Sequence, residues 1–298
     1  MTRSVSLVVL AALALAGCRH QAGVIYPYLN DSARDRGLVI VLPGVEGRSP
    51  FNEAICDGLA DGGVTWAIDL VDWTASMPMS YLVNLRDEGR NRLQAQDIAD
   101  TIVRYRMTYP DAPVVLVGQS SGGGMAIWVA EAMPPTERIE GIITLAPSLS
   151  PEYSLDSALG RTRRGIVNFY SERDWVILGV GTTLSGTMDG SHTSSAGRVG
   201  FEPPWGGPSL ELYERKLFQI PWQPGMSDTG HRGLHLTSGA RLFVAAYVAP
   251  LVLAKTWDAP TIEAITSGEP PIPTGRPATR PAGGAVSRPG IPSRPAAR

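Results

Sequence analysis

Short, continuous apolar runs alternate along the chain with longer stretches in which apolar residues recur at helical spacing. A short apolar run of this kind is typical of a strand buried on both faces of a parallel sheet. Such runs occupy residues 38–42, 114–117, 142–145 and 166–169, and residues 64–70 predict a further strand. The alternation predicts an α/β fold with a mostly parallel central sheet flanked by helices.

Apolar stripes between these runs predict the covering helices. One stripe consists of Phe51, Ala54, Ile55 and Leu59, and a second consists of Ile98, Ile102, Tyr105 and Tyr109. Residues 240–248 predict a closing helix. In contrast, residues 181–207 are rich in Gly, Ser and Thr and show no period, which predicts a long loop. This loop either borders the substrate site or is a purely structural excursion.

The first residues form a short export signal. A basic residue, Arg3, precedes the apolar residues 5–16, a run too short to span a bilayer and typical of a secretory signal peptide. The small residues before Cys18 make the sequence of residues 15–18 resemble the lipobox of bacterial lipoproteins. That resemblance implies removal of residues 1–17 and acylation of Cys18, for example with palmitate. An ordinary signal peptide that ends near a cysteine is the alternative.

Composition sets the limits of the folded part. The 298 residues are 43% hydrophobic with a net charge of −2, which is enough for one large core and gives no indication of nucleic-acid binding. The end of the chain is rich in Pro, Gly, Ala and Arg and predicts a disordered tail. The predicted organisation is a signal peptide (1–17), a lipidated linker (18–36), one domain (37–262) and the tail (263–298).

A serine flanked by glycines follows one of the buried runs. Residues 118–122 read Gly-Gln-Ser-Ser-Gly, come directly after the run 114–117 and open a helical pattern. This strand–turn–helix context resembles the nucleophile elbow of the α/β-hydrolase superfamily, and the likeness extends over residues 37–253. It implies the α/β-hydrolase fold, with Ser120 as nucleophile and the backbone N–H of Ser121 as an oxyanion donor. A glycine-rich turn without chemistry is the alternative.

Two further turns match the superfamily's functional positions. Residues 43–47 follow the run 38–42, where the resemblance implies a second oxyanion donor, the amide of Val45. Pro43 stands where many relatives have histidine. Asp174 follows the run 166–169 and corresponds to the triad acid, whereas other acidic residues (Glu172, Asp189 and Asp228) are less well placed. An ordinary surface-turn aspartate is the alternative for Asp174.

The chain has only four histidines, which narrows the choice of base. His20 adjoins the lipidation site and His192 lies in the loop 181–207. Both His231 and His235 precede the predicted closing helix, where the superfamily places its base. The run from His235 to residues 249–251 resembles the histidine-to-last-helix spacing of some relatives, and this resemblance favours His235. The Gly-His pair at residues 230–231 resembles that of other relatives and keeps His231 as its rival.

The resemblance implies a serine hydrolase, carboxylesterase-like or lipase-like, that cleaves an ester or related acyl bond through an acyl-serine intermediate at the cell envelope. No cofactor or metal is expected, because no metal-ligand spacing or phosphate-binding loop occurs. The expected partners are a small acyl substrate and the membrane that takes the anchor. In many Gram-negative lipoproteins, an aspartate directly after the acylated cysteine is associated with retention in the inner membrane. Residue 19 of this chain is an arginine, which favours a periplasm-facing anchor in the outer membrane if the organism is Gram-negative. An acyltransferase and a catalytically silent envelope binding module are the alternatives.

Overall fold

Seven strands form one sheet in the computed structural model, which describes residues 23–75, 81–174, 177–178, 182–183, 187–191 and 193–267. The strands are β1 (Val24–Leu29), β2 (Leu38–Leu42), β3 (Ala67–Asp72), β4 (Val114–Gln119), β5 (Ile139–Leu145), β6 (Thr162–Tyr170) and β9 (Leu217–Pro221). They lie in the order β1-β3-β2-β4-β5-β6-β9, and every neighbouring pair is parallel except β1 with β3. Two short strands, β7 (Ile177–Leu178) and β8 (Thr182–Thr183), form a separate antiparallel pair.

Helices cover both faces of the sheet. They are α1 (Pro50–Asp61), α2 (Tyr81–Arg86), α3 (Glu88–Thr108), α4 (Ser121–Ala132), α5 (Asp156–Gly160), α6 (Ala196–Val199), α7 (Gly207–Lys216), α8 (Arg241–Phe243), α9 (Ala249–Leu253) and α10 (Ala259–Ser267). The mostly parallel sheet between these layers has the α/β-hydrolase fold, so the predicted fold class is confirmed.

The central strand β2 shows why its sequence is apolar throughout. Alternate residues of a strand point to opposite faces. Leu38 and Ile40 therefore enter the core that contains α3 and α4, whereas Val39 and Val41 enter the core that contains α1 and the closing helix. All five residues of β2 are buried. A strand with two buried faces has no position at which a polar side chain meets water. This explains why residues 38–42 form a continuous apolar run.

The segment predicted as a linker, residues 18–36, contains the edge strand of the sheet. β1 pairs antiparallel with β3, with Val24 opposite Asp72 and a register shift between Pro27 and Leu29. The domain therefore begins before residue 37. Pro27 weakens the prediction of a strand here, because proline has no N–H to donate to a neighbouring strand. Proline is tolerated on an edge strand, where one side of the strand has no neighbour and needs no such donor.

The closing helix is longer and less regular than its predicted range of 240–248. It begins as α8, widens into a π-helical stretch over Val244–Val248 and ends as α9. Pro250 has no N–H to donate to the carbonyl four residues earlier, and the wider turn lies directly before it. Phe51 also departs from its predicted helical face, because it is exposed at the start of α1.

Several predicted features lie outside the described residues, namely the signal peptide, Cys18, His20, His192 and the tail from residue 268 onward. The first tail residues, 263–267, belong to α10. Within the described part of the chain, no helix is long and apolar enough to cross a membrane. Cys56 is a free, fully buried cysteine in α1, and burial raises the pKa of its thiol.

Candidate active site

The predicted nucleophile lies on a strained turn at the carboxyl end of β4. Ser120 has a φ of 56° and a ψ of −125°, a region that L-residues rarely adopt. α4 begins at the next residue, so the backbone N–H of Ser121 has no partner inside the helix. An amide at this position is free to donate to an anion close to Ser120.

The two flanking glycines make the turn sterically feasible. A Cβ on Gly118 would collide with the carbonyl of Gly122, and a Cβ on Gly122 would collide with the carbonyls of Leu42 and Pro43. Both positions therefore require a residue without a side chain. This close approach brings the turn of Ser120 against the end of β2, next to the predicted oxyanion turn.

The predicted oxyanion turn directly adjoins the nucleophile. A Cβ on Gly44 would lie 3.3 Å from the Cβ of Ser120. The N–H of Gly47 donates to the carbonyl of Gly44 (3.1 Å), which fixes the peptide plane that carries the N–H of Val45. The carbonyl of Val45 in turn accepts a hydrogen bond from Nδ2 of Asn84 (2.9 Å). The structure therefore places Val45 and Ser121 on two rigid turns on either side of Ser120.

The predicted acid and the favoured base are in direct contact. Nδ1 of His235 lies 2.8 Å from Oδ2 of Asp174, and the two side chains are 10% and 1% exposed. Asp174 ends a turn in which its N–H donates to the carbonyl of Ser171 (2.8 Å), directly after β6. A buried carboxylate that binds one ring nitrogen fixes the ring and favours a proton on that nitrogen, which leaves Nε2 as the acceptor.

The rival histidine, His231, occupies a different environment. It is 3% exposed, its ring packs edge-on against Phe243 with 4.6 Å between the centroids, and its Nδ1 lies 3.1 Å from Oγ1 of Thr237. Its carbonyl accepts a hydrogen bond from Nε1 of Trp222 (2.7 Å). Burial lowers the pKa of His231 to about 4. The structure thus pairs Asp174 with His235 and encloses His231 within the core.

The low pKa of His231 predicts a loss of stability in acid. The unfolded chain binds a proton at this histidine near its ordinary pKa of 6.5, whereas the folded protein does so only near 4. The free energy of unfolding therefore falls as the pH drops through this range, by about 3 kcal/mol from this residue. Urea unfolding at several pH values is expected to show a flatter pH dependence for His231→Gln than for the wild type. Parallel curves for the two proteins would show that His231 does not titrate in this way.

Gln119 and Ser148 are polar residues of the site that were not identified from the sequence as functional. Gln119, which precedes the nucleophile, donates from Nε2 to the carbonyl of His235 (3.3 Å) and so connects the strand of Ser120 to the loop of the base. Ser148, which follows β5, has its Oγ 3.2 Å from Oγ of Ser120. Among the described residues, this is the hydrogen bond that the Ser120 hydroxyl makes.

The described part of the predicted loop 181–207 packs against the segment that carries Ser148. The N–H of Met188 donates to the carbonyl of Ser148 (2.8 Å), and the N–H of Gly197 donates to that of Pro147 (2.9 Å). Asp189 accepts hydrogen bonds from both the N–H and the Oγ of Ser150. The loop therefore contacts Ser148, the hydrogen-bond partner of the nucleophile, and borders the site.

A second carboxylate lies close to the nucleophile. Oε1 of Glu46 accepts a hydrogen bond from Nδ2 of Asn52 (3.3 Å), and a Cβ on Gly44 would contact both Oε2 of Glu46 and the Cβ of Ser120. Glu46 is exposed as a residue, but loss of hydration around its carboxylate raises the pKa of that group. The hydrogen bond from Asn52 and the positive charge of a protonated His235 act in the opposite direction and are smaller, so the pKa of Glu46 is raised overall. Glu46 is thus an acidic group of the site that the sequence interpretation did not assign.

The described residues contain no group of three or more His, Cys, Asp or Glu side chains arranged to hold a metal ion. The polar groups that follow the carboxyl ends of β2, β4 and β6 include the Ser120 hydroxyl, the Asp174–His235 pair and the backbone amides of Val45 and Ser121. This is the set of groups that nucleophilic acyl transfer requires.

Comparisons with known proteins give similar folds at low sequence identity. No protein-family model matches the chain, and no curated protein matches it significantly. A dienelactone hydrolase from Anabaena variabilis is 18% identical, with 72% of this chain and 83% of that one covered and a TM-score of 0.42. Est1E from Butyrivibrio proteoclasticus is 12% identical, with 77% and 92% covered and a TM-score of 0.44. XC6422 from Xanthomonas campestris, an a/b serine hydrolase without lid, is 12% identical, with 78% and 89% covered and a TM-score of 0.47. Values this low do not identify an activity, so the function has to rest on the site itself.

Proposed function

We propose that the protein is a serine hydrolase that cleaves a small ester or related acyl compound through an acyl-Ser120 intermediate. The observation that carries the proposal is the meeting of two features at one edge of the sheet. Ser120 lies on a strained turn between two glycines that tolerate no side chain. Gln119, the residue before it, donates a hydrogen bond to the carbonyl of His235, whose ring binds Asp174 (2.8 Å). Strain held at a buried turn is costly and persists where function selects for it.

In the proposed reaction, Nε2 of His235 accepts the proton of the Ser120 hydroxyl as Oγ attacks the acyl carbon. Asp174 stabilises the imidazolium that forms, and the amides of Val45 and Ser121 donate to the oxyanion. The leaving alcohol takes the proton from His235. A water molecule, deprotonated by the same imidazole, then attacks the acyl carbon. The bond between that carbon and Oγ breaks, the imidazolium returns its proton to Oγ, and the acid is released with Ser120 restored.

Labelling with a fluorophosphonate probe, followed by mapping of the labelled peptide, tests activity and nucleophile together. The phosphorus centre reacts with an activated serine, so the label is expected on Ser120 alone. Neighbouring serines serve as internal controls, because Ser121 is fully buried and Ser148 is half-buried. A label on either of them, or no label on a folded protein, would contradict the assignment.

We further propose that the enzyme is held at the cell envelope by lipid on Cys18, facing the periplasm and attached to the outer membrane if the organism is Gram-negative. The support is the order of Arg3, the apolar residues 5–16, the small residues and Cys18.

The anchor makes a specific prediction about the mature chain. Its first residue is expected to be Cys18 carrying acyl chains, and the protein is expected to sediment with membranes. Cys18→Ala is expected to block processing or to release the protein, because the acylated side chain is lost. Intact-mass measurement of the purified protein checks this directly, and an unmodified N-terminus downstream of Cys18 would exclude the anchor.

A further inference from the structure

The described chain begins at the edge of the sheet that carries the site. We call this the catalytic edge and define it by Val45, Ser120 and Asp174, which follow the carboxyl ends of β2, β4 and β6. β1 runs antiparallel to β3, so its first residue, Val24, lies opposite Asp72 at the carboxyl end of β3. The preceding residue, Gly23, therefore lies at the catalytic edge.

Contacts connect this entry point to the oxyanion turn. A Cβ on Gly23 would lie 2.9 Å from the carbonyl oxygen of Asp72 and 3.3 Å from Cα of Trp73. Nε1 of Trp73 donates to the carbonyl of Pro43 (2.8 Å), directly before Gly44. Trp73 therefore lies between Gly23, where the described chain enters the domain, and the turn that adjoins Ser120.

The length of chain between anchor and domain decides which edge can approach a membrane. Five peptide steps separate Cys18 from Gly23, and even a fully extended chain of that length spans at most about 18 Å. A domain of this size is roughly 45 Å across, by the usual relation between chain length and radius of gyration. A lipid on Cys18 therefore holds the catalytic edge close to the bilayer, whereas the opposite edge lies beyond its reach.

Exposed apolar side chains surround the site on the same edge. Leu234 and Leu236 flank His235 and are about half exposed, and Phe51 and Leu242 are similarly exposed in the first turns of α1 and α8. Large apolar side chains concentrated on one face of a soluble domain mark a binding surface.

The distribution over the whole domain is uneven. Val24, Val199 and Trp205 also lie on the catalytic edge. Trp205 is fully exposed and directly precedes α7. Because α7 ends at the start of β9, the beginning of α7 lies at the other end of the sheet, which is the catalytic edge. These three and the four above make seven of the ten exposed large apolar residues of the described chain. Of the other three, Leu93 is on the flank, and Met107 and Leu253 are at the helix ends on the opposite edge.

We propose that the catalytic edge is a bilayer-contacting surface and that the enzyme takes its acyl substrates from the membrane in which it is anchored. This inference rests on the anchor and the hydrolase activity proposed above. Leucine, phenylalanine and tryptophan side chains enter the boundary between headgroups and acyl chains, and the site opens among them. Substrates with an acyl chain long enough to partition into a bilayer are then supplied directly to Ser120.

The charges on this edge agree with a lipid surface better than with a polyanion. Exposed groups of both signs stand beside the apolar residues, such as Glu172 and Arg232 near the acid and the base. A surface of mixed charge gains little from electrostatic attraction to a charged polymer. Apolar contact, added to the lipid anchor, is the interaction that the edge offers.

Site-directed fluorescence quenching in the full, lipidated protein tests the orientation. The protein is reconstituted into phosphatidylcholine vesicles that contain doxyl-labelled lipid, with a thiol-reactive fluorophore on Phe51→Cys, Trp205→Cys or Met107→Cys. The native cysteines do not interfere, since Cys56 is fully buried and the thiol of Cys18 carries the proposed lipid. Met107 is the matched control, because it is 80% exposed on the opposite edge.

The lipid is expected to quench most of the fluorescence at positions 51 and 205 and to leave that at 107 unchanged. Equal quenching at all three positions, quenching at 107 alone, or none in vesicle-bound protein would overturn the proposal. If the protein does not bind vesicles, the anchor fails and this inference fails with it. Fluorophosphonate labelling of Ser120 in detergent reports on the hydrolase proposal separately, so the two failures are distinguishable.

Discussion

Replacing Ser120 with alanine is expected to reduce the rate of p-nitrophenyl acetate hydrolysis to a low value that is only slightly above the uncatalysed rate. The hydroxyl is the only group of the protein that bonds to the substrate carbon in the proposed mechanism, so its removal eliminates the covalent route. Loss of a serine nucleophile from such a triad costs about 10⁶-fold in kcat, and the remaining rate comes from substrate binding and the oxyanion amides. Steady-state kinetics with the purified proteins provide the measurement.

Two neighbouring serines provide controls for this experiment. Ser121→Ala alters a hydroxyl that is fully buried and has no hydrogen-bond partner among the described residues, so turnover is expected to remain. Ser148→Ala removes the group 3.2 Å from the nucleophile and is expected to change the rate far less than Ser120→Ala. Thermal melting shows whether each variant is folded. Full activity in folded Ser120→Ala would refute the serine-hydrolase mechanism.

The fold was predictable wherever burial on both faces dictates the sequence. β2 was predicted with its observed bounds, because both of its faces lie in a core and no polar residue is tolerated. β1 was missed for the opposite reason. An edge strand of six residues that contains Pro27 and leaves Val24 exposed carries neither a continuous apolar run nor a regular alternation. Its pairing with β3 depends on a contact between distant parts of the chain.

The candidate site was predictable where a backbone constraint leaves its mark on the sequence. Gly118 and Gly122 are such marks, because the packing of the turn excludes any side chain at either position. Gln119, Ser148 and Glu46 carry no comparable signal. Each contributes through a side chain whose direction depends on the turn that holds it, and many polar residues occupy similar places in a sequence without such contacts.

The sequence favoured His235 as the base but left His231 as a rival, because both stand in the same short segment before the closing helix. Burial and partners separate them in the structure. His235 keeps 10% of its side chain exposed and binds Asp174, whereas His231 packs against Phe243 with its pKa lowered to about 4. A histidine in the second environment resists protonation, and a general base has to accept a proton in every catalytic cycle.

The alanine variants of the two histidines are therefore expected to differ in their rates. His235→Ala is expected to lose catalysis, whereas His231→Ala is expected to keep it and to lose stability. His235→Ala removes the proposed base, so kcat is expected to approach that of Ser120→Ala, a loss of about 10⁴-fold or more. Asp174→Asn is expected to lose roughly 10⁴-fold as well, because the ring then favours the wrong tautomer. His231→Ala leaves this pair intact and is expected to keep most of the rate. It removes a buried ring from the core instead, which costs about 2–4 kcal/mol of unfolding free energy.

Kinetics and urea unfolding of the same preparations separate the two roles. Rates are compared well below the melting temperature of His231→Ala, so that loss of folded protein does not mimic loss of catalysis. His235→Ala leaves the buried carboxylate of Asp174 without its partner, so it is also expected to lose stability, and its rate is likewise compared well below its own melting temperature. A large loss of rate in folded His231→Ala, with most activity retained in His235→Ala, would transfer the role of base to His231. The contact between Asp174 and His235 would then be an ordinary buried hydrogen bond, and Ser120 would need another path to a proton acceptor.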